Sequence, residues 1–197
     1  LAHRNQYHAD LVLFFVSNDG SGSGSCSGLA WLQTNITPSF ENLGYSTMKA
    51  CSFGSSVFAH ELGHNMGSRH DWYMDAGTTP FTYAHGYVDT VNKFRTIMSY
   101  NNRCNALGFS CTGIPYFSNP TVNYNGAKTG VAGGTASNCA AGNSGPATEC
   151  DADERRTFNE TAANTAGFRS SQLMWTGAVS TDWSNAANWT IDEGVPG

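Results

Sequence analysis

Apolar positions in the first fifty residues fall into three short bursts set between polar stretches. Residues 9–16 end in a continuous apolar, β-branched and aromatic run of strand length, which predicts a buried strand. Residues 28–33 (G-L-A-W-L-Q) and 45–50 (Y-S-T-M-K-A) predict a second and a third short strand. Residues 17–27 are nearly all Gly, Ser, Asn and Asp. No helix follows them, so they read as a flexible loop and not as a phosphate cradle. From residue 55 the period changes. Val57, Phe58, Leu62 and Met66 recur at helical spacing and predict a helix over 55–66 with those four as its apolar contacts. Farther on, residues 83–88 and 93–96 suggest a small hairpin turning at 89–92. Residues 101–120 suggest a loop, and residues 121–150 are rich in Gly, Asn and Ala with little period. A second helix is predicted over 151–169. Acidic residues open it, Phe158, Ala162, Thr165 and Ala166 form its stripe, and Arg169 sits in its last turn. Short strands with two helices make the expected fold class α+β.

The character changes after residue 170. Trp175, Trp183 and Trp189 stand among small polar residues, in a pattern similar to the opening of β-rich repeats in large bacterial surface or secreted proteins. The expected organisation is one domain over 1–172 and, over 173–197, the start of a following β-rich segment or a C-terminal arm.

Composition narrows the function classes. The 197 residues are 40% hydrophobic, enough for a core, and only 13% charged, with a net charge of -5 that argues against a nucleic-acid partner. No apolar run approaches membrane-spanning length. The six cysteines contain no C-x-x-C pair, so disulfides are a better reading than a zinc knuckle, and they imply an oxidising, extracellular setting. Six cysteines allow about 15 pairings. Local closure would give Cys26–Cys51, Cys104–Cys111 and Cys139–Cys150, and free buried thiols are the alternative.

The candidate chemistry lies in the first helix and just beyond it: His60-Glu61-x-x-His64-x-x-Gly67-x-x-His70-Asp71. Residues four apart share a helix face, so His60 and His64 can hold one metal ion. Glu61 is offset by one position and can reach a water on that metal. Gly67 can adopt the left-handed conformation that ends a helix and turns the chain, bringing His70 in as a third ligand. Three protein ligands with one open position suit a catalytic zinc.

This extended motif, followed downstream by Met98 in T-I-M-S-Y, resembles the metzincin metallopeptidases. The wording H-E-L-G-H-N-M-G-S-R-H-D is most similar to the reprolysin (adamalysin) branch, in the form found in secreted bacterial enzymes. The resemblance covers residues 9 to about 170 and implies a mixed, twisted sheet with an active-site helix and a C-terminal helix. It implies a secreted or cell-surface zinc endopeptidase with Zn2+ on His60, His64 and His70. Glu61 would be the catalytic base, and protein or peptide chains the substrates. A family member normally has an inhibitory prodomain. The family's first strand-helix-strand has no counterpart here ahead of residue 9, so the domain is expected to lack it.

Met98 would form the floor under the histidines, and Asp71 would fix the loop after His70. M-S-Y at residues 98–100 is closer to the serralysin and astacin turn, where the tyrosine can approach zinc, which makes Tyr100 a conditional catalytic candidate. The strand carrying Gly28, Leu29, Ala30 and Trp31 stands where the family has its substrate-binding edge. Ile114, Pro115 and Tyr116 stand where it builds a pocket wall, with a bulky apolar preference expected. His85, outside the motif, is expected to be structural. Calcium is conceivable in so Gly/Asn/Asp-rich a chain, but no complete acidic loop supports it. The alternative function is a non-catalytic adhesion or binding module of a bacterial surface protein, against which an intact Glu61 speaks.

Overall fold

Three strands and one helix carry the first half of the chain. The computed structural model describes residues 4–5, 7–17, 27–52, 55–134, 150–169, 171–175, 177–182 and 184–193. The first sheet is β1 (Val12–Val16), β2 (Gly28–Ala30) and β3 (Tyr45–Lys49), in the order β1-β3-β2. β1 runs parallel to β3 and β2 antiparallel to it, with Gly28 opposite Met48 and Ala30 opposite Ser46. β2 is therefore an edge strand with one side unpaired in this sheet. It ends three residues earlier than its apolar pattern suggests. The chain leaves the sheet so that Gln33 N–H can donate to the carbonyl of His64 at the end of the next helix.

The expected burial of the first strand does not hold. Phe14, Phe15 and Val16 are 51%, 52% and 42% exposed, at the other edge of this three-stranded sheet. A strand needs cover on both faces to bury every apolar residue of a continuous run. β1 has such a run, and its last three residues stay about half exposed.

Helix α1 (Val57–Asn65) packs under β2 and β3. Its buried residues are Glu61, Gly63, His64 and Asn65, while Phe58 is 48% exposed. The apolar stripe is thus not what seats it. Asn65 Nδ2 donates instead to the carbonyls of Trp31 and Tyr45, tying the helix to the sheet through backbone acceptors.

The second half is built of small pieces. β4 (Val88–Asp89) and β5 (Phe94–Arg95) form the expected hairpin, and β6 (Thr112–Gly113) joins β5 in parallel. A short helix α2 (Asn102–Ala106) replaces part of the expected loop. It is tied down by the Cys104–Cys111 disulfide, which packs on Val88 and Phe109. The expected Cys26–Cys51 and Cys139–Cys150 bridges each have one cysteine, Cys26 or Cys139, outside the described residues. Cys51 and Cys150 are themselves disulfide-bonded.

β7 (Asn123–Tyr124) and β8 (Ala127–Lys128) form a hairpin in a stretch that shows no period. Its turn is Asn125-Gly126, both at positive φ. This dipeptide is the usual one for a two-residue hairpin and was the available signal. The main core joins Tyr87, Phe94, Ile114 and Ala152, with Tyr124, Ala127 and Val131 against them.

Helix α3 (Glu154–Thr165) is capped by Asp153, whose side chain accepts from Arg156 N–H. It buries Glu154, Thr157, Thr161 and Thr165; of the expected stripe only Thr165 is buried, Phe158 is half-buried, and Ala162 and Ala166 are exposed. Thr161 Oγ1 donates to the carbonyl of Met66, so α3 braces the end of α1. Finally β9 (Ser171–Trp175) and β10 (Trp189–Glu193) pair with each other as an antiparallel two-stranded sheet. Among the described residues no helix is long and apolar enough to cross a membrane.

Candidate metal centre and active site

Helix α1 ends where the sequence motif requires. Gly67 lies at φ +92°, a conformation costly for any residue with a Cβ. The turn it makes returns the chain so that His70 faces back towards α1. His70 Nε2 lies 3.1 Å from His60 Nε2 and 3.1 Å from His64 Nε2. Among the described residues the three form a cluster in which one donor atom each lies within 4.8 Å of the others.

The proton positions favour a cation between them. His60 Nδ1 donates to the carbonyl of Ile97 at 2.9 Å, and His64 Nδ1 donates to that of Ser68 at 2.8 Å. With Nδ1 as the donor, each neutral ring turns its Nε2 lone pair inward. Protonation does not relieve the crowding. Burial lowers all three rings, helped by their mutual repulsion in His64 and His70. His64 falls to about 3 and His70 to about 4. The lone pairs of His60 and His64 both converge on His70 Nε2, an arrangement that a positive ion among the three rings would stabilise. Ligands at about 2.05 Å from a tetrahedral zinc would stand roughly 3.3 Å apart, close to the observed spacing. The donor set fits a divalent metal.

Glu61 lies beside this cluster and is 4% exposed. Burial pushes its carboxyl up to about 7. β2 presses directly on it: a Cβ added to Gly28 would stand 2.5 Å from Glu61 Cγ and Oε1. Met98 is fully buried beneath α1, its sulfur 2.9 Å from where a Cβ of Gly63 would be. Gly63 thus lets Met98 approach the helix between the two histidines, a requirement that the motif's spacing alone does not reveal. Asp71 is buried, and its Oδ2 accepts from Tyr100 N–H at 2.9 Å. Burial raises the Asp71 carboxyl to about 6 against the pull of its backbone donors. The Tyr100 ring packs on His70 at 4.6 Å between centroids. Burial raises its hydroxyl above the usual range, with Glu61 and Asp71 adding to the effect.

A cleft of about 430 Å³ opens onto these groups, lined by Gly28, His60, Glu61, Arg95, Tyr100 and Ile114 among others. Of the residues expected to bind substrate, Gly28 and Ile114 share this cleft. Leu29, Ala30 and Trp31 line a separate depression with Phe14 and Tyr45. Pro115 and Tyr116 line a third with Phe117 and Phe158. His85 is outside the metal cluster. It is fully buried, its ring nitrogens on the carbonyls of His70 and Gly77, and it stacks on Trp72 at 3.9 Å, as a structural histidine would. Arg95 is the charged cleft residue that spacing and period did not single out.

A histidine triad on a helix and its return turn, with a carboxylate alongside on a mixed α+β fold, defines a metallopeptidase of metzincin type. Residues 2–110 match the reprolysin-type profile of metallo-peptidase family M12, and the chain belongs to that family. It is 34% identical over 166 residues to a peptidyl-Asp metalloendopeptidase of Xanthomonas campestris, covering 84% of this chain and 32% of that one. It is 31% identical over 169 residues to one of Stenotrophomonas maltophilia, covering 84% and 33%. A peptidyl-Asp metalloendopeptidase of Pseudomonas fragi is 40% identical over 79 residues, covering 40% of this chain and 51% of that protein. The chain therefore spans about a third of the length of the first two relatives. A solved structure of a chaperone–substrate complex shares the fold over 85% of this chain and 22% of that one, at a TM-score of 0.50 and 20% identity.

Proposed function

We propose that this chain is the catalytic part of a secreted, zinc-dependent endopeptidase that cuts peptides at aspartate. The observation that carries the reading is the convergence of three histidine Nε2 atoms beside a buried carboxylate, below a strand edge that is unpaired among the described residues. His60, His64 and His70 would hold zinc. Zinc, when bound, supplies Lewis acidity towards a peptide carbonyl and a water molecule. Glu61 takes a proton from the attacking water onto its carboxylate and returns it to the leaving amide nitrogen as the C–N bond breaks. Its raised pKa suits that exchange near neutrality.

Tyr100, held through its backbone by Asp71 and packed on His70, would donate its phenol proton in a hydrogen bond to the carbonyl oxygen. Met98 supports the ligands from below. The open side of β2 offers backbone groups to an extended peptide, with Gly28 nearest the cut and Ile114 on the opposite wall. The aspartate preference rests on the relatives' names. The disulfide-bonded cysteines Cys51, Cys104, Cys111 and Cys150 support an oxidising, extracellular location. A prodomain that silences the site, and the division at residues 172 and 173, belong to the same reading.

The test is Glu61→Gln in the whole protein, with metal content measured alongside hydrolysis. The expected result is one zinc per chain with kcat reduced by at least about 10²–10⁴-fold. Undiminished hydrolysis in that variant would sink the proposal.

A further inference from the structure

Arg95 brings a cation into the cleft, and among the described residues no carboxylate pairs with it. It closes β5 and lines the same space as His60, Glu61 and Gly28. Its Nη1 donates to the carbonyl of Ser99 at 2.8 Å, which fixes the guanidinium against the methionine-bearing turn. Its other face lies beside Gly113 of β6, where an added Cβ would stand 3.4 Å from Nη2. Its Nε is buried with no hydrogen-bond partner. The ion pairs among the described residues belong to Arg69, Arg155, Arg156 and Arg169. Arg95 has none.

A guanidinium carries five N–H donors, and among the described residues this one commits a single donor. A half-buried, unpaired charge is unfavourable, so the site favours an anion brought from outside. The planar fork matches a carboxylate better than any other common peptide group. The cleft is also where the side chain next to the cut must lie, because Glu61 and the histidines mark the position of the cut. Ile114 does not make this space an apolar pocket. It is 3% exposed, with its bulk in the core against Tyr87 and Phe94.

We propose that Arg95 is the specificity-determining residue of the cleft, its guanidinium receiving the carboxylate of an aspartyl side chain on the substrate residue beside the scissile bond. The proposal rests on the peptidase reading for the position of the cut. It departs from the bulky apolar preference that Ile114, Pro115 and Tyr116 suggest in the sequence.

The test compares peptides that differ only in Asp, Glu or Asn at one position, on the whole protein. Native enzyme is expected to favour Asp over Asn in kcat/KM by on the order of 100-fold or more, since a site built around a polar partner rejects the analogue lacking it. In Arg95→Gln the ratio falls to within a few-fold of one. Arg95→Lys, which keeps the charge but loses the fork, falls between. Lys128→Gln, on the β7–β8 hairpin, leaves the ratio where it was. An Asp/Asn ratio unmoved in both Arg95 variants overturns the proposal and leaves the peptidase reading intact.

Binding separates the reverse case. Zinc-loaded Glu61→Gln should bind the Asp peptide at least about 10-fold more tightly than the Asn peptide, and the double variant with Arg95→Gln should not discriminate. That result supports Arg95 as the receptor even if no peptide is cleaved by native protein, which would defeat the peptidase reading alone. Equal binding of both peptides by Glu61→Gln overturns the Arg95 proposal.

Discussion

Gly28 has no side chain, and Glu61 occupies the space that one would need. The contact explains why a strand edge and a catalytic-type carboxylate can sit this close, with 2.5 Å between a hypothetical Cβ and Glu61 Oε1. Gly28→Ala should therefore displace the Glu61 side chain while leaving the sheet paired. We expect a 10- to 100-fold loss of kcat, roughly the cost of a misplacement near 1 Å, with thermal stability changed far less. A variant with full activity would show that Glu61 acts from another position. At this scale the sequence was most legible where chemistry fixes spacing. His60, Glu61, His64, Gly67 and His70 follow from helix geometry and one left-handed turn. Gly28 and Gly63 were not legible in the same way. Each is required by an atom distant in sequence, Glu61 Oε1 in one case and Met98 Sδ in the other.

Helix α3 shows why elements were harder to read than residues. A 3.6-residue apolar stripe predicts the buried face when the helix packs on an apolar core. Here the neighbours are backbone groups and a serine, so the buried face is Glu154, Thr157, Thr161 and Thr165. Glu154 is fully buried. Its Oε2 accepts from Ser118 N–H, and Ser118 Oγ receives Glu154 N–H and donates to the carbonyl of His85. Burial raises its carboxyl to about 8, against the pull of Ser118, with nearby Asp71 adding to the rise.

The sign follows from that. Below about pH 4.5 the group is protonated in folded and unfolded chains alike, and its contribution to stability is complete. Above that the unfolded chain ionises while the folded chain resists, so stability is lost as pH rises, until the folded group titrates near 8. Each pH unit in the window costs up to ~1.4 kcal/mol. Glu154→Gln keeps the shape and removes the proton. Urea unfolding between pH 5 and 8 should show native protein losing stability relative to Glu154→Gln, by a few kcal/mol over the range. Parallel curves for the two proteins would rule the mechanism out.

For the molecule as a whole, the metal site is where the parts meet. His60 and His64 come from the helix under the first sheet. His70 follows the turn braced by α3 through Thr161 and Met66. The acceptor for His60 Nδ1 is Ile97, on the turn that leads from β5. The assembly is otherwise lightly bound: short strands, separate apolar clusters, and polar seams such as Asn65 on Trp31 and Trp72 on Asp151. The exposed run on β1 adds little to that core. This organisation was only partly visible in the chain's period, because strands of two residues leave almost no periodic signal.

An ion held by the three histidines would therefore stabilise the fold by cross-linking these elements, beyond its proposed part in chemistry. A ligand that binds only the folded state at about 1,000 times its dissociation constant adds ~4 kcal/mol. In a domain of this size, each kcal/mol moves the melting temperature by about 2–4 °C. Removing the metal with a chelator should therefore lower the melting temperature by about 8–16 °C, and adding zinc back should restore it. His70→Ala, lacking one ligand, should melt low from the start and respond weakly to zinc. Glu61→Gln should respond like native protein, since it keeps all three ligands. If chelation abolishes hydrolysis but leaves melting unmoved, the histidines hold a catalytic ion on a scaffold that stands without it.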